Sequence, residues 1–260
     1  MIVAYTGSPI LGLRGSITVP FSPQKAGPKG LAFFVRESWM RTLVRLVEVR
    51  RKHPLIELIV PFLLVNKEDK SKINRDDNAF ENALRKSVQG HSYIHWTPVE
   101  VIMAAVDWLG TESSNNILDI GSGVGKFCLI GAMNSRAHFI GVETREDLVE
   151  QAIDLKKELK LSNANFIHSD IINIDFKDYT SFYFYNPFCE YMALSGGIDD
   201  RIKFDEEAFY KYQDYVAEQL KKTPKGTKLV KYCSPDFDIS TNFDLTDMYF
   251  EGQLQLWIRR

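Results

Sequence analysis

The chain has 260 residues, 45% hydrophobic, 25% charged and 12% aromatic, which suits a globular protein with a sizeable core. A formal net charge of -2 supplies no global field for nucleic acid or an anionic membrane, so any such contact must come from a local patch. The three cysteines, Cys128, Cys189 and Cys233, form no CxxC pair, which argues against a thiolate zinc site or a disulfide framework.

The N-terminus has no basic start before its apolar stretch and reads poorly as a signal peptide. The longest apolar segment, 55–65, is about half a membrane span and contains Glu57 and Pro61. The expectation is a cytoplasmic protein with no membrane contact and no metal. The first thirty-odd residues are rich in Gly and Pro and read as an extended arm. Residues 36–53 form an amphipathic pattern, with Arg41, Arg45, Glu48 and Lys52 on one side and Trp39, Leu43, Leu46 and Val47 on the other. Its basic end, Arg50 to His53, could meet RNA or an acidic substrate, but reads first as a solvated helix terminus. After the 55–65 segment, NKEDKSKINRDDN (66–78) has little to bury and reads as a loop or boundary. DNAFENALRKSVQG (77–90) resumes helical spacing and stops at Gly90.

From residue 95 the pattern changes. HWTPVEVIMAAVDWLG is predicted as a helix with Thr97 at the N-cap, Pro98 at the first position and Glu100 at the third. NNILDI, HFIGVE, ANFIHSD, SFYFYNPF and GTKLVKYCS read as five strands. Between them KFCLIGAMNS, REDLVEQAIDLKKELKL and EEAFYKYQDYVAEQLKK read as helices. The tail, FDLTDMYFEGQLQLWIRR, adds two strands or a hairpin bent near Gly252. Alternating strands and helices imply an α/β fold: a doubly wound, mostly parallel, seven-stranded sheet with helices on both faces and a mainly helical N-terminal extension. Ligands of such sheets bind beyond the carboxyl ends of the strands.

At the first of those ends stands LDIGSGVGKF (118–127). A triphosphate loop needs four residues between its glycines and a hydroxyl after the lysine. Here Gly121 and Gly125 enclose three, Phe127 stands in the hydroxyl position, and Lys126 is a coincidence. A dinucleotide loop needs GxGxxG, and Lys126 takes the place of its third glycine. Asp119 would also put a carboxylate near a pyrophosphate, where a cationic ligand would be better received.

NILDIGSGVGKF resembles the first motif of the class I S-adenosylmethionine-dependent methyltransferases. The resemblance covers about residues 95 to 260 and implies S-adenosyl-L-methionine as the cofactor. It assigns Asp119 to the cofactor's methionine end, and Gly121, Ser122, Gly123 and Gly125 to backbone approach. Glu143, with Thr144 beside it, ends the second strand and falls where the family's ribose acid stands. Asp170 matches the acceptor of the adenine amino group, and Ile171 supplies an apolar edge. Thr97 falls in the segment that closes over the cofactor in many members, beside its plain reading as an N-cap.

The acceptor loop of that family follows the fourth strand, here FYNPFCEY. Methyltransferases of amino nitrogens carry Asp, Asn or Ser, then Pro-Pro, then an aromatic residue. Asn186, Pro187 and Phe188 resemble this without the second proline, and non-SET histone-lysine methyltransferases resemble it more loosely. The amide and a carbonyl would accept the amino hydrogens while the ring stacks on a planar acceptor. Glu190 is a candidate proton acceptor if the substrate is a lysine, and equally the first turn of a helix. Cys189 is set aside as a nucleophile because Phe188 separates it from Pro187.

The expectation is therefore a methyltransferase domain at 93–260, transferring to a nitrogen of protein or nucleic acid, behind an extension at 1–92 that covers the site or binds substrate. A cofactor-binding module without transfer activity is the alternative in another class, and a dehydrogenase comes third.

Overall fold

A computed structural model describes residues 72–193, 197–234, 239 and 241–260. The arm, the 36–53 helix with its basic end, the 55–65 segment and the start of the charged run at 66–71 lie outside the described residues.

Short apolar runs between turn residues form β1 Asn116–Ile120, β2 His138–Glu143, β3 Ala164–His168, β4 Ser181–Phe184, β5 Lys228–Tyr232, β6 Phe243–Tyr249 and β7 Leu254–Arg259. They make one sheet in the order β3-β2-β1-β4-β5-β7-β6. The first five strands of that order pair in parallel, while β7 is antiparallel to both neighbours, so the sheet is mixed at its last edge. All four residues of β4 are buried, as both faces of an interior parallel strand must be. β6 is the outer edge, where only Phe243 is buried and Asp244 and Asp247 stand on the solvated rim.

The helices are α1 Asp77–Ala83, α2 Ser92–His95, α3 Val99–Leu109, α4 Lys126–Asn134, α5 Glu146–Leu159 and α6 Glu206–Leu220. Strand side chains alternate between two cores. Ile117, Tyr183 and Val230 pack with Phe80 of α1, Ile102 and Val106 of α3 and Phe127 of α4. Leu118, Phe182, Phe184 and Leu229 pack with Phe209, Val216 and Leu220 of α6.

Two local expectations are corrected. The helix predicted through Gly90 ends at Ala83, and a single 3-10 turn, Lys86–Val88, follows. Tertiary contacts interrupt it: the Arg85 N–H donates to Gln151 at 2.8 Å and its guanidinium to Asp154 at 2.5 Å. Thr97 does not cap α3. Its hydroxyl lies 2.9 Å from that of Tyr183, and the Asp77 carboxylate accepts the Val99 N–H at 3.0 Å. The same carboxylate pairs with the ammonium of Lys126, which is only 3% exposed and lies over the Phe80 ring. Lys126 is thus a structural tie between α1 and α4. The compact unit containing the sheet runs from Lys67 to Arg260, and Ile73, Phe80, Leu84 and Val88 belong to its core.

Candidate active site

The strand order reverses between β1 and β4, and the loops after these strands flank that switch point. After β1 the chain turns sharply, with the N–H groups of Gly121 and Ser122 both donating to the Val142 carbonyl at 3.0 and 2.9 Å. Gly121 and Gly123 have φ of +74° and +53°, and a Cβ would fall 2.5 Å from Pro187 and from the Trp96 ring, respectively. Only glycine provides both this backbone and this clearance. Gly125 opens α4.

Two cavities lie above the loop. One, of about 40 Å³, is bounded by Glu143, Thr144, Ser169, Asp170 and Ile171 and by Phe188, Tyr191, Ile202 and Tyr212. The other, of 310 Å³, is bounded by Ile94, His95, Trp96, Gly123, Tyr185, Asn186, Cys189, Glu190, Ile198 and Cys233. Gly121, Glu143, Arg145 and Pro187 line both, so the two cavities are neighbours in one cleft region.

Glu143 ends β2 with 6% exposure. Its Oε1 accepts from the Thr144 N–H (2.9 Å) and hydroxyl (3.2 Å) and from the Arg145 N–H (3.0 Å), and its Oε2 from the Gly123 N–H at 3.1 Å. Oε2 keeps acceptor capacity on the wall of both cavities. Asp170 accepts the Ile172 N–H at 3.1 Å through one oxygen and the Tyr212 hydroxyl at 2.7 Å through the other. With Ile171 beside it, this end can hold an apolar ring with a polar edge.

Asn186 has a φ of +38°, unusual for a residue with a side chain, and lines the second cavity. Its N–H donates to the Ser234 hydroxyl at 2.8 Å, and its carbonyl accepts from Cys189. Its side-chain amide makes no hydrogen bond among the described residues. Cys233, at φ +43°, reaches the same cavity from the end of β5. Backbone strain of this kind gathers at functional sites.

Several expected residues stand elsewhere. Asp119 is 4% exposed and lines neither cavity, because the alternation of β1 turns it towards α4, where Cys128 Sγ donates to it at 3.5 Å. Burial pushes its pKa up to about 7. Ser122 turns its hydroxyl against Gly141, without a hydrogen-bond partner. Thr97, bonded to Tyr183, also lines neither cavity. Phe188 is 7% exposed and stacks on Tyr212 in the first cavity, so its ring is not presented beside Asn186. Glu190 is buried and bound by both its oxygens to Arg145 at 2.8 Å, with Oε2 also accepting the Ile198 N–H at 3.0 Å. Its lone pairs are engaged in holding the loop, which corrects its reading as a free base. Burial raises the Cys189 thiol and disfavours its thiolate.

Arg145, Tyr212 and Cys233 also line the cavities, without an assignment from the sequence. Arg145 hides in a charged helix start and Tyr212 in an amphipathic helix. Cys233 carried a usable signal, since it follows β5 as Asn186 follows β4. Among the described residues no group of three or more His, Cys, Asp or Glu could hold a metal ion.

This sheet order, glycine turn and acid-edged cleft are the arrangement expected of a class I S-adenosylmethionine-dependent methyltransferase domain. Residues 111–190 match the methyltransferase-domain family. The 23S rRNA (uracil(1939)-C(5))-methyltransferase RlmD of Vibrio campbellii is 33% identical over 72 residues, 28% of this chain and 16% of that relative. The protein of the same name from Shewanella halifaxensis is 28% identical over 138 residues, 49% of this chain and 29% of the relative. The chain thus spans less than a third of the length of these relatives. Among solved structures, an RNA methyltransferase from Salinibacter ruber in complex with S-adenosyl-L-homocysteine aligns over 63% of this chain and 91% of its own, at 20% identity and a TM-score of 0.46.

The cleft fits S-adenosyl-L-methionine: Glu143 Oε2 offers unspent acceptor capacity, and the Cβ-free walls at Gly121 and Gly123 admit a close approach. Glu143 would hold the ribose, and Asp170 and Ile171 the adenine. The methionine end would lie towards Gly123 and Trp96.

Proposed function

We propose that this chain is a methyltransferase that transfers a methyl group from S-adenosyl-L-methionine directly to a nitrogen of a protein or nucleic-acid substrate. The observation that carries the acceptor assignment is Asn186, whose unpaired amide stands on the cavity wall next to Pro187 and the glycine loop. An amide carbonyl there can accept an amino hydrogen and turn the nitrogen lone pair towards the cofactor. The bound cofactor supplies an electrophilic methyl group on a sulfonium. The chain's own part is to orient the acceptor and enclose the reacting atoms. Neither Glu190 nor Asp119 is available as a base, so the acceptor's proton leaves through the open side of the cavity. A cytoplasmic setting suits the three free cysteines, and among the described residues no helix is long and apolar enough to cross a membrane.

The test is methyl-labelled cofactor incubated with fractionated lysate (protein, RNA, DNA and small molecules), with wild type and Asn186→Ala compared. We expect S-adenosylhomocysteine affinity to be kept and methylation to fall about 10²-fold. Unchanged methylation would remove Asn186 from the acceptor site. Cofactor binding with no incorporation into any fraction would favour a binding module without transfer activity.

A second reading rests on Cys233, which is exposed and lines the same cavity, and on the relatives, whose names specify uracil C5 in RNA. A uracil C5 carbon becomes nucleophilic once a thiolate adds to C6. After C5 takes the methyl group, loss of its proton expels the thiolate. Under this reading the labelled product is RNA, 5-fluorouracil RNA forms a denaturation-resistant adduct, and Cys233→Ser abolishes it. Labelled product without such an adduct favours the nitrogen acceptor.

A further inference from the structure

We propose that Tyr212, paired with Asp170, reads the 6-position of the cofactor's purine and makes the site demand an amino group there. This rests on the methyltransferase reading above and adds a specificity-determining residue to it. Tyr212 lies on α6, outside the loops that carry the rest of the site, and donates its hydroxyl to Asp170 Oδ2 at 2.7 Å. Both residues line the cavity whose other end is bounded by Glu143. Only the second oxygen of Asp170 serves the backbone, capping Ile172. The Tyr212 ring is held by stacking on Phe188 (5.1 Å between centroids, 20°) and on Tyr191 (5.5 Å, 26°).

The chemistry follows from where the proton goes. A tyrosine hydroxyl that has given its hydrogen to a carboxylate presents only lone pairs to a ligand, and the carboxylate does the same. Burial, reinforced by Asp170, pushes the Tyr212 hydroxyl pKa up, so it keeps its proton. Two acceptors side by side match the two hydrogens of an exocyclic amine. The carbonyl oxygen of a 6-oxopurine would meet lone pair with lone pair, leaving buried polar groups unpaired. Tyr215, one turn further along α6, is a built-in control: its hydroxyl donates to the Ile174 carbonyl at 3.1 Å, and it does not line this cavity.

The experiment is calorimetric titration of the full chain with S-adenosylhomocysteine and its 6-oxo analogue, S-inosylhomocysteine. Wild type is expected to favour the adenosyl compound by about 10²-fold. Tyr212→Phe, which keeps the stacked ring, should cut that ratio about tenfold, and Tyr215→Phe should leave it unchanged. Asp170→Asn, which puts a donor in place of an acceptor, should move the ratio towards the inosyl compound, and a fixed ratio there would overturn the pair. A wild-type ratio in Tyr212→Phe, or an equal drop in Tyr215→Phe, would overturn the role of Tyr212 alone. Failure of the wild type to bind S-adenosylhomocysteine would overturn the cofactor reading itself, and this assignment with it.

Discussion

Asp119 is enclosed between β1 and α4, and its pKa near 7 makes its ionisation a stability variable. Burial is the main cause; the charge of Glu143 adds to it, and the Cys128 hydrogen bond opposes it. Its pKa is raised on folding, so the folded state binds the extra proton between the ordinary value of 3.8 and about 7. Stability contributed by this group is full below that window and is lost as pH rises through it. Asp119→Asn should remove this slope. In denaturant titrations at pH 4 and 8, wild type should lose a few kcal/mol relative to the variant, an order-of-magnitude figure. A parallel pH dependence in the two proteins would mean that Asp119 is ionised in the fold. The residue also shows what sequence can and cannot supply. The motif locates the acid correctly at the end of β1, but strand alternation decides which face it serves, and that face is the core.

The loop after β4 and the start of α5 are joined by a buried ion cluster, and this junction is the element-scale feature that shapes the cleft. Arg145, 5% exposed, holds Glu190 through both oxygens, approaches Asp199 at 3.1 Å and lies 3.7 Å from Glu143. Asp199 is in turn bound by Arg201, which also grips Asp147 at the first turn of α5 at 2.7 Å. Removing one partner of a buried pair strands the other's charge. Arg145→Met should therefore cost about 3–5 kcal/mol, and Arg145→Met combined with Glu190→Met clearly less than the sum. Chemical denaturation of the cycle measures this coupling, and additive losses would show that the two side chains act independently. The residues of this cluster are 45 or more apart in sequence where it matters most, and no periodic pattern links Arg145 to Glu190. The strands and helices themselves were legible because each is a local pattern. The helix at 77–90 was the exception, since contacts from Gln151 and Asp154 break it from outside.

For the molecule as a whole, the sheet, its mixed edge and the cleft at the switch point follow from element order and strand-end chemistry. Where the folding unit begins does not follow, because the texture change near residue 95 marks a motif and not the limit of the core. Ile73, Phe80, Leu84 and Val88 are all buried, and Asp77 both caps α3 and neutralises buried Lys126. We therefore expect a chain cut to 93–260, the division drawn from the sequence, to melt well below one spanning 67–260, or to aggregate. Equal melting temperatures would mean that α1 is an accessory. The lysine that looked accidental in a phosphate-like loop is, in this arrangement, a tie to the upstream helix.

The two cavities share Gly121, Glu143, Arg145 and Pro187, so the proposed places of the adenosine and of the acceptor adjoin at the same four residues. A single molecule that joins an adenosine to an acceptor fragment by a short tether would occupy both at once. Its second half would bind at the effective concentration set by the tether, reaching the millimolar range for a short flexible link. The shared wall makes the cleft a natural target for bisubstrate ligands, and a series with varied fragments would report the acceptor's chemistry through affinity.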